Sequence, residues 1–363
     1  MLNSLRAVAR FIQNTIGWNR IGVLLSVTII AIAVMVLVHM LRGIDTDEVF
    51  KALRATSPGR IAAAAAFVAG GYFTLTFYDL FALRTLGEDK IPYRIAALAG
   101  FTSYSIGHNI GATVFTGGAV RYRIYSAYGL DAVAVAKICF LAGLTFWLGN
   151  VTVLGLGITA DPLAASAIDQ LPAGPNRIIG IALLVILSCY VGWVWSAKRE
   201  IGRGDWNVHL PSGPSTLLQI SIGILDLACC SLAMYMLLPS EPNIGFVTVA
   251  VIFVSATLLG FASHAPGGLG VFDAAMLVAL WQFDKEEVLA GLLLFRLLYY
   301  LSPFAIALVI LGTREIWLNL HGKRRKAELK AVTTVTAPIR SELDARKNEK
   351  KLAKKSPKKT DIG

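Results

Sequence analysis

Charge is what this 363-residue chain has least of: Asp, Glu, Lys and Arg make up 16% of it, against about 25% in soluble globular domains. Hydrophobic residues supply 55%, and the mean hydropathy is +0.62. That balance excludes an ordinary water-soluble enzyme and points to an integral membrane protein. Cysteine is scarce as well. Cys139, Cys189, Cys229 and Cys230 all sit in apolar runs without metal-ligand spacing, which leaves core packing as their reading. No HExxH, CxxC or clustered carboxylate set is present, so no metal site is expected. A Walker-type phosphate loop is missing, and the GGLG of residues 267–270 lacks the strand, spacing and acidic partner of a dinucleotide fingerprint, so no cofactor is expected. The first long apolar run, Ile21–Leu41, has no small-residue cleavage site close behind it and is expected to stay as an anchor.

The little charge there is lies at one end. Of the net +11, residues 314–363 hold +9, from 15 Lys/Arg against 6 Asp/Glu. A basic extension after the last span reads as a lipid-facing cytoplasmic tail rather than a nucleic-acid arm, so no nucleic-acid partner is expected. Its low apolar content implies disorder. The expected organisation is an N-terminal cytoplasmic segment (1–20), a membrane domain (21–312) and the basic tail (313–363).

A span needs about 20 apolar residues. Ile21–Leu41, Ile61–Leu83, Ala132–Ile158, Ile178–Trp195, Leu217–Leu238 and Leu289–Leu311 meet that length, giving about six full spans in an all-α polytopic membrane protein. Two further apolar regions, Ile95–Ala119 and Gly245–Phe283, are interrupted by Gly107, His108, Asn109, Gly111, Gly117 and Gly118 in the first and by His264, Pro266, Gly267, Gly268 and Gly270 in the second. Backbone that leaves the helix at membrane depth persists only where protein or a hydrated cavity satisfies its polar groups. If the first region is a re-entrant hairpin, the cytoplasmic segments collect eleven Lys/Arg against six outside, and both termini fall on the cytoplasmic side. Residues 42–60, with four Lys/Arg on the outer side, run against that assignment. The second region is either a hairpin from the opposite face or two short crossings. Broken helices entering from opposite faces are a transporter device.

Ionisable residues inside a bilayer cost a few kcal/mol each and so need a reason. Arg121 and Arg123 follow the Gly117–Gly118 break, with Lys137 further along. They read either as interfacial anchors or as donors to an anionic headgroup, where free N–H groups can also face a phosphate. Arg296 sits in the last span with no acid near it in that span, and reads either as the holder of a buried partner or a lipid phosphate or as a side chain snorkelling to the interface. Asp226, flanked by leucines, must be protonated, paired or hydrated; a salt bridge to Arg296 or Lys137 would be structural, and charge balance at a transport site would be functional. Asp273 closes the second break and either pairs the arginines or receives a cationic headgroup. Asp79 is the third acid of the membrane region. The histidines at the breaks read as structural hydrogen-bonding groups, and Ser103, Ser105, Thr113 and Thr116 as hydroxyls that satisfy nearby carbonyls.

The runs YSIGHNIGATVFTGGAVRYRIYSAYGL (Tyr104–Leu130), followed by Lys137, and FASHAPGGLGVFDAAML (Phe261–Leu277) resemble the hallmark segments of the lysylphosphatidylglycerol synthase/flippase transmembrane family. The resemblance covers about residues 20–312. It implies a multi-pass protein of the bacterial inner membrane with a lipid-translocating role; on the reading of the residues above, Arg121, Arg123, Lys137 and Arg296 would attract the anionic headgroup of an anionic or aminoacylated phospholipid. In the family's bifunctional members a soluble domain transfers lysine to phosphatidylglycerol, and the basic tail here is too polar for such a domain. The expected function is therefore a flippase or transporter of phospholipid or another lipid-linked amphiphile. A membrane subunit working with a separately encoded soluble lipid transferase is the second reading, and a non-transporting membrane scaffold the third.

Overall fold

A computed structural model describes residues 46–111, 113–204, 206–263 and 266–317, together with Met35. The expected anchor Ile21–Leu41, the segment 1–20, His264 and the tail from residue 318 lie outside the described residues.

The protein is an all-α, multi-pass membrane protein. Among the described residues five segments are long and apolar enough to cross a bilayer: α2 (Pro58–Thr85), α5 (Ala132–Ala160), α7 (Ala173–Ser196), α8 (Gly213–Leu237) and the C-terminal segment Lys285–Trp317. They contain five of the six expected spans but for the single residue Leu238. Shorter helices connect them: α1 (Thr46–Ala55), α3 (Tyr93–Ile110), α4 (Thr113–Tyr125), α6 (Pro162–Asp169), α9 (Phe246–Ala262) and α10 (Val271–Ala279). The last span opens as α11 (Lys285–Phe295) and widens into a π-helical turn at Arg296–Leu301. Two strands, β1 (Glu200–Arg203) and β2 (Trp206–His209), form an antiparallel hairpin between α7 and α8 that hydropathy did not announce.

Local chemistry sets the helix ends. Ser57 caps α2, accepting from the N–H of Arg60, with Pro58 in the first turn, where a missing N–H is harmless. Asp131 caps α5 through the N–H of Ala134 at 2.8 Å, and Asp284 caps α11 through those of Glu286 and Glu287. Such caps start these helices at, or a turn before, the apolar runs that begin at Ile61, Ala132 and Leu289.

Small residues set how the spans pack. A Cβ on Gly149 (α5) or on Gly223 (α8) would come within 2.8 Å of the other's backbone, so these two helices cross at contact distance. Gln219 reaches the carbonyl of Leu141 and the hydroxyl of Thr145 below that crossing, which makes α5 and α8 parallel. On the other flank, Gly155 and Gly180 let α7 return antiparallel to α5. The outer face of α7 leaves Ile178, Val185, Ile186 and Trp195 exposed, an apolar surface suited to lipid rather than water.

Arg60 is one of the four Lys/Arg of residues 42–60 that run against the expected topology. Its guanidinium donates to Ser240 Oγ at 2.8 Å and to the carbonyls of Tyr235 and Leu238, the unpaired end of α8. There it has the work of a C-terminal cap.

Both interrupted regions are hairpins. In the first, Gly107 lies against Thr113 and Gly117 against the carbonyl of Ser103, so α3 and α4 run antiparallel about a turn at Gly111, whose φ is 84°. The start of α3 is tied to the end of α2, where the hydroxyls of Tyr93 and Thr76 are 2.9 Å apart. The α4 end returns to the same place, because Tyr125 bonds Asp79 of α2. In the second hairpin, Gly260 of α9 meets Gly268 and Phe272. The start of α9 is fixed to the far end of α5 by Thr248 and Asp161, and α10 packs back on α6 beside it. Since α5 separates the two attachment points by a full span, the hairpins enter from opposite faces. Their tips meet: a Cβ on Gly267 would lie 3.9 Å from the carbonyl oxygen of His108.

Candidate functional site

Along the two hairpins and the spans that hold them, the structure gathers most of the membrane-embedded charge into two ion pairs and one solitary acid. At the first hairpin Arg121, 3% exposed, grips Asp79, 0% exposed. Arg121 Nη2 donates to Oδ1 at 2.7 Å and Nε to Oδ2 at 3.0 Å, and Tyr125 adds its hydroxyl to Oδ2 at 2.7 Å. The guanidinium also lies over the ring of Tyr104, 4.8 Å from its centroid. Gly117 makes room for this, since a Cβ there would come within 3.3 Å of Arg121 Nη1. Planar bidentate pairing with an aromatic lid suits arginine and would not suit lysine.

At the second hairpin Arg296 pairs with Asp273. Arg296 Nε donates to Oδ1 at 3.0 Å and Nη2 to Oδ2, while the N–H of Gly270 donates to Oδ2 at 3.0 Å. Asp273 thus reaches back over the N-terminus of its own helix α10 to the N–H of Gly270. Arg296 Nη1 also reaches toward the carbonyl of Gly267. This pair is less enclosed than the first, its side chains 12% and 22% exposed. Gly267, Gly268 and Gly270 have φ of 60°, 62° and 80°, which lets the backbone turn tightly enough to bring its N–H groups round to Asp273.

Asp226 stands apart, midway along α8 and 4% exposed. Neither Arg296 nor Lys137 pairs with it: Arg296 is taken by Asp273, and no cation among the described residues comes within 4.0 Å. Its partners are neutral, Tyr78 hydroxyl to Oδ2 at 3.0 Å, Thr74 Oγ1 at 3.2 Å from Oδ1, and Cys230 Sγ at 3.9 Å. A structural salt bridge therefore does not account for Asp226.

Polar backbone at the breaks is satisfied mostly from within. The carbonyl of Gly107 accepts from the N–H of Gly111 and from Thr113 Oγ1, and that of Gly111 accepts from Thr116 Oγ1. Ser105 donates to Phe101, as expected of a membrane hydroxyl. The π turn shifts its hydrogen bonds by one residue, and there side chains attend the backbone: Tyr72 donates to the carbonyl of Tyr299 and Asn109 to that of Tyr300. Asn109 so ties the first hairpin to the last span. Three polar atoms of α3 have no protein partner among the described residues, namely Ser103 Oγ, His108 Nδ1 and Asn109 Oδ1. The His108 ring packs between those of Tyr104 and Tyr299, so stacking, more than hydrogen bonding, positions it.

Of the residues singled out from sequence, His108, Asn109 and Gly267 meet at the hairpin tips with Asp273 and Arg296 beside them, whereas Arg121 pairs with Asp79 where the first hairpin returns to α2 and Asp226 stands on α8 among α2 side chains. Gly118 lies against Cys139 of α5. Arg123 and Lys137 are half-buried on α4 and α5, nearer the face from which the first hairpin enters. Among the described residues no group of three or more His, Cys, Asp or Glu could hold a metal ion. Sequence reasoning missed Tyr72, Thr74, Tyr78 and Tyr104, which supply the hydroxyls and rings around the charges. A stripe of tyrosine and threonine at helical spacing in an otherwise apolar α2 was the available signal.

No family model matches the chain. Its relatives include an uncharacterized protein of Synechocystis, 31% identical over 269 residues, 74% of this chain and 83% of that one. The inner membrane protein YbhN of Escherichia coli is 30% identical over 284 residues, 77% of this chain and 87% of that protein. The phosphatidylglycerol lysyltransferase of Staphylococcus haemolyticus is 28% identical over 268 residues, which are 67% of this chain but only 28% of that enzyme.

Proposed function

The chain belongs to the lysylphosphatidylglycerol synthase/flippase transmembrane family, matched to its membrane part, and on that premise we propose that it moves the headgroup of a membrane phospholipid between leaflets of the bacterial inner membrane. The observation that carries this reading is the meeting of two hairpins from opposite faces, each with an arginine held by an aspartate. Asp273 occupies the position an anionic headgroup would take. Its carboxylate already receives a guanidinium and the backbone N–H of Gly270 at a helix N-terminus, the donor set that suits a phosphate. A lipid phosphate displacing Asp273 would keep Arg296 neutralised, and the freed Asp273 carboxylate would have to be hydrated by water between the tips or take up a proton. The Arg121–Asp79 pair would do the same work from the other hairpin, and Arg123 and Lys137 would draw anionic headgroups toward that entrance. Acyl chains would remain in lipid while the headgroup passes between the tips. The side holding Tyr128 and the β hairpin is proposed to be cytoplasmic, with residues 1–20 and 313–363 on it.

Fluorescent phosphatidylglycerol in proteoliposomes provides the test, with dithionite quenching as the measure of leaflet exchange. The wild type is expected to expose the inner-leaflet label, Arg296→Ala to lose this by tenfold or more, and Arg296→Lys to keep part of it. Vesicles of wild-type protein that exchange no phosphatidylglycerol or aminoacylated phosphatidylglycerol overturn the proposal. A relative named as a lysyltransferase keeps a second reading open, that of the membrane partner of a separately encoded lipid transferase. A new lipid species on thin-layer chromatography, present only in cells with the gene, would favour it.

A further inference from the structure

Hydrogen atoms can be counted around Asp226, and they do not suffice for a bare carboxylate. Thr74 owns one hydroxyl hydrogen and stands between two oxygens, the carbonyl of Gly71 at 2.6 Å and Asp226 Oδ1 at 3.2 Å. The shorter contact takes the hydrogen, because a backbone carbonyl has no hydrogen of its own to offer. The oxygen pair Thr74 Oγ1 and Asp226 Oδ1 is then left with no hydrogen between them, unless Asp226 supplies it. Oδ2 is already served by the Tyr78 hydroxyl at 3.0 Å, and the Cys230 thiol at 3.9 Å is a weak and distant donor. A carboxylic acid with its hydrogen on Oδ1 completes the set: Thr74 donates to Gly71, Asp226 donates to Thr74, and Tyr78 donates to Asp226.

The surroundings agree. Among the described residues the ionisable side chains that face Asp226 are Tyr72 and Tyr78 of α2, Tyr104 of α3, Cys229 and Cys230 of α8 and Tyr299 of the π turn, and none is a cation. Helix α9, packed on the same span, carries no ionisable residue. Lys137 of α5, Arg177 of α7, and Lys285 and Arg296 of the last span form no ion pair with it. The other two acids of the membrane region each hold an arginine. Among the described residues nothing neutralises a negative charge on Asp226, yet only two side chains separate it from the first ion pair: Tyr78, which donates to it, touches Tyr104 at 5.8 Å between ring centroids, and Tyr104 lies under Arg121.

We propose that Asp226 is a proton-binding site of the membrane core, loaded at neutral pH, with Oδ1–H donating to Thr74 and Oδ2 accepting from Tyr78. On release the O–H bond breaks, its electron pair stays on the carboxylate, and the proton passes to solvent water admitted when the hairpin tips separate. The negative charge left behind would lie beside Tyr78 and shift the Tyr104–Arg121 contact, which links proton occupancy to the first hairpin. This goes beyond lipid movement and does not depend on it.

The experiment is infrared difference spectroscopy on the full-length protein in lipid nanodiscs. The wild type at pH 7 is expected to show a protonated-carboxyl carbonyl band that is lost in Asp226→Asn and moves to higher wavenumber in Thr74→Val, where the acceptor of the Oδ1 hydrogen is gone. Raising the pH should convert the band to carboxylate stretches in the wild type only. Wild-type and Asp226→Asn spectra that differ at pH 7 in the carboxylate stretches, and not in the carbonyl band, overturn the proposal, as does a wild-type band unmoved by Thr74→Val. The spectra need no transported lipid, so protein that fails to move a headgroup would still show or lack the band.

Discussion

Arg121 and Asp79 face each other through parallel hydrogen bonds, Nη2 to Oδ1 at 2.7 Å and Nε to Oδ2 at 3.0 Å, with neither side chain open to its surroundings. They come from different helices, α4 and α2, so the pair holds the first hairpin to the first described span. Breaking such a buried pair from one side leaves a charge without a partner, at a cost of about 3–5 kcal/mol. Arg121→Ala and Asp79→Ala are each expected to lower thermal stability in detergent, read by fluorescence-detected size exclusion after heating. The double neutral replacement, Arg121→Gln with Asp79→Asn, is expected to recover much of the loss. Equal damage from the double and single variants would show that the pair's charge is not what matters.

At the crossing of α5 and α8 there is no room for a side chain. Gly149→Ala or Gly223→Ala must push two backbones apart, and overpacking of this kind costs about 1–3 kcal/mol. Both are expected to lower the melting point, whereas Gly143→Ala, where a Cβ meets nothing within 4 Å, is expected to leave it unchanged or slightly raised. If Gly149→Ala and Gly143→Ala behave alike, the close crossing is wrong.

Arg60 donates to the carbonyls that end α8. Hydrogen bonds from a charged donor contribute about 1.5–3 kcal/mol. Arg60→Ala is expected to loosen that end, seen as faster hydrogen exchange at residues 235–240, while Arg54→Ala, on α1, is expected to leave it unaffected. Exchange at 235–240 that is unchanged in Arg60→Ala would remove the cap.

The two hairpins are expected to open on opposite faces. In a background with the four cysteines replaced, single cysteines at Glu88 and Tyr128 should react with an impermeant maleimide from one side of oriented vesicles, and those at Asn243 and Asp284 from the other. Glu88 and Tyr128 labelled from different sides would mean that the first region crosses the membrane.

Spans were readable because each is a long uniform apolar run, and lipid demands that property of every residue along a crossing helix. Breaks were readable for the converse reason, since Gly111 and Gly267 interrupt such runs. The route of the second region was not: hydropathy is the same for a hairpin and for two short crossings, and they are separated by the packing, in which the tip stops at His108 and α10 returns to α6 beside the start of α9. The π turn at Arg296–Leu301 left no trace in composition either, because it depends on Tyr72 and Asn109 arriving from other helices to meet its carbonyls.

The amino-acid order by itself determined that this is a helical membrane protein, which stretches form the described spans, and which few charged residues need partners inside it. Those follow from solvation, which acts residue by residue. Which partner each charge has was decided only in three dimensions: Asp79 for Arg121 across 42 positions, Asp273 for Arg296 across 23, and for Asp226 a set of neutral hydroxyls and a thiol. A charge attracts every opposite charge alike, so the choice among them rests on which helices the small residues allow to touch.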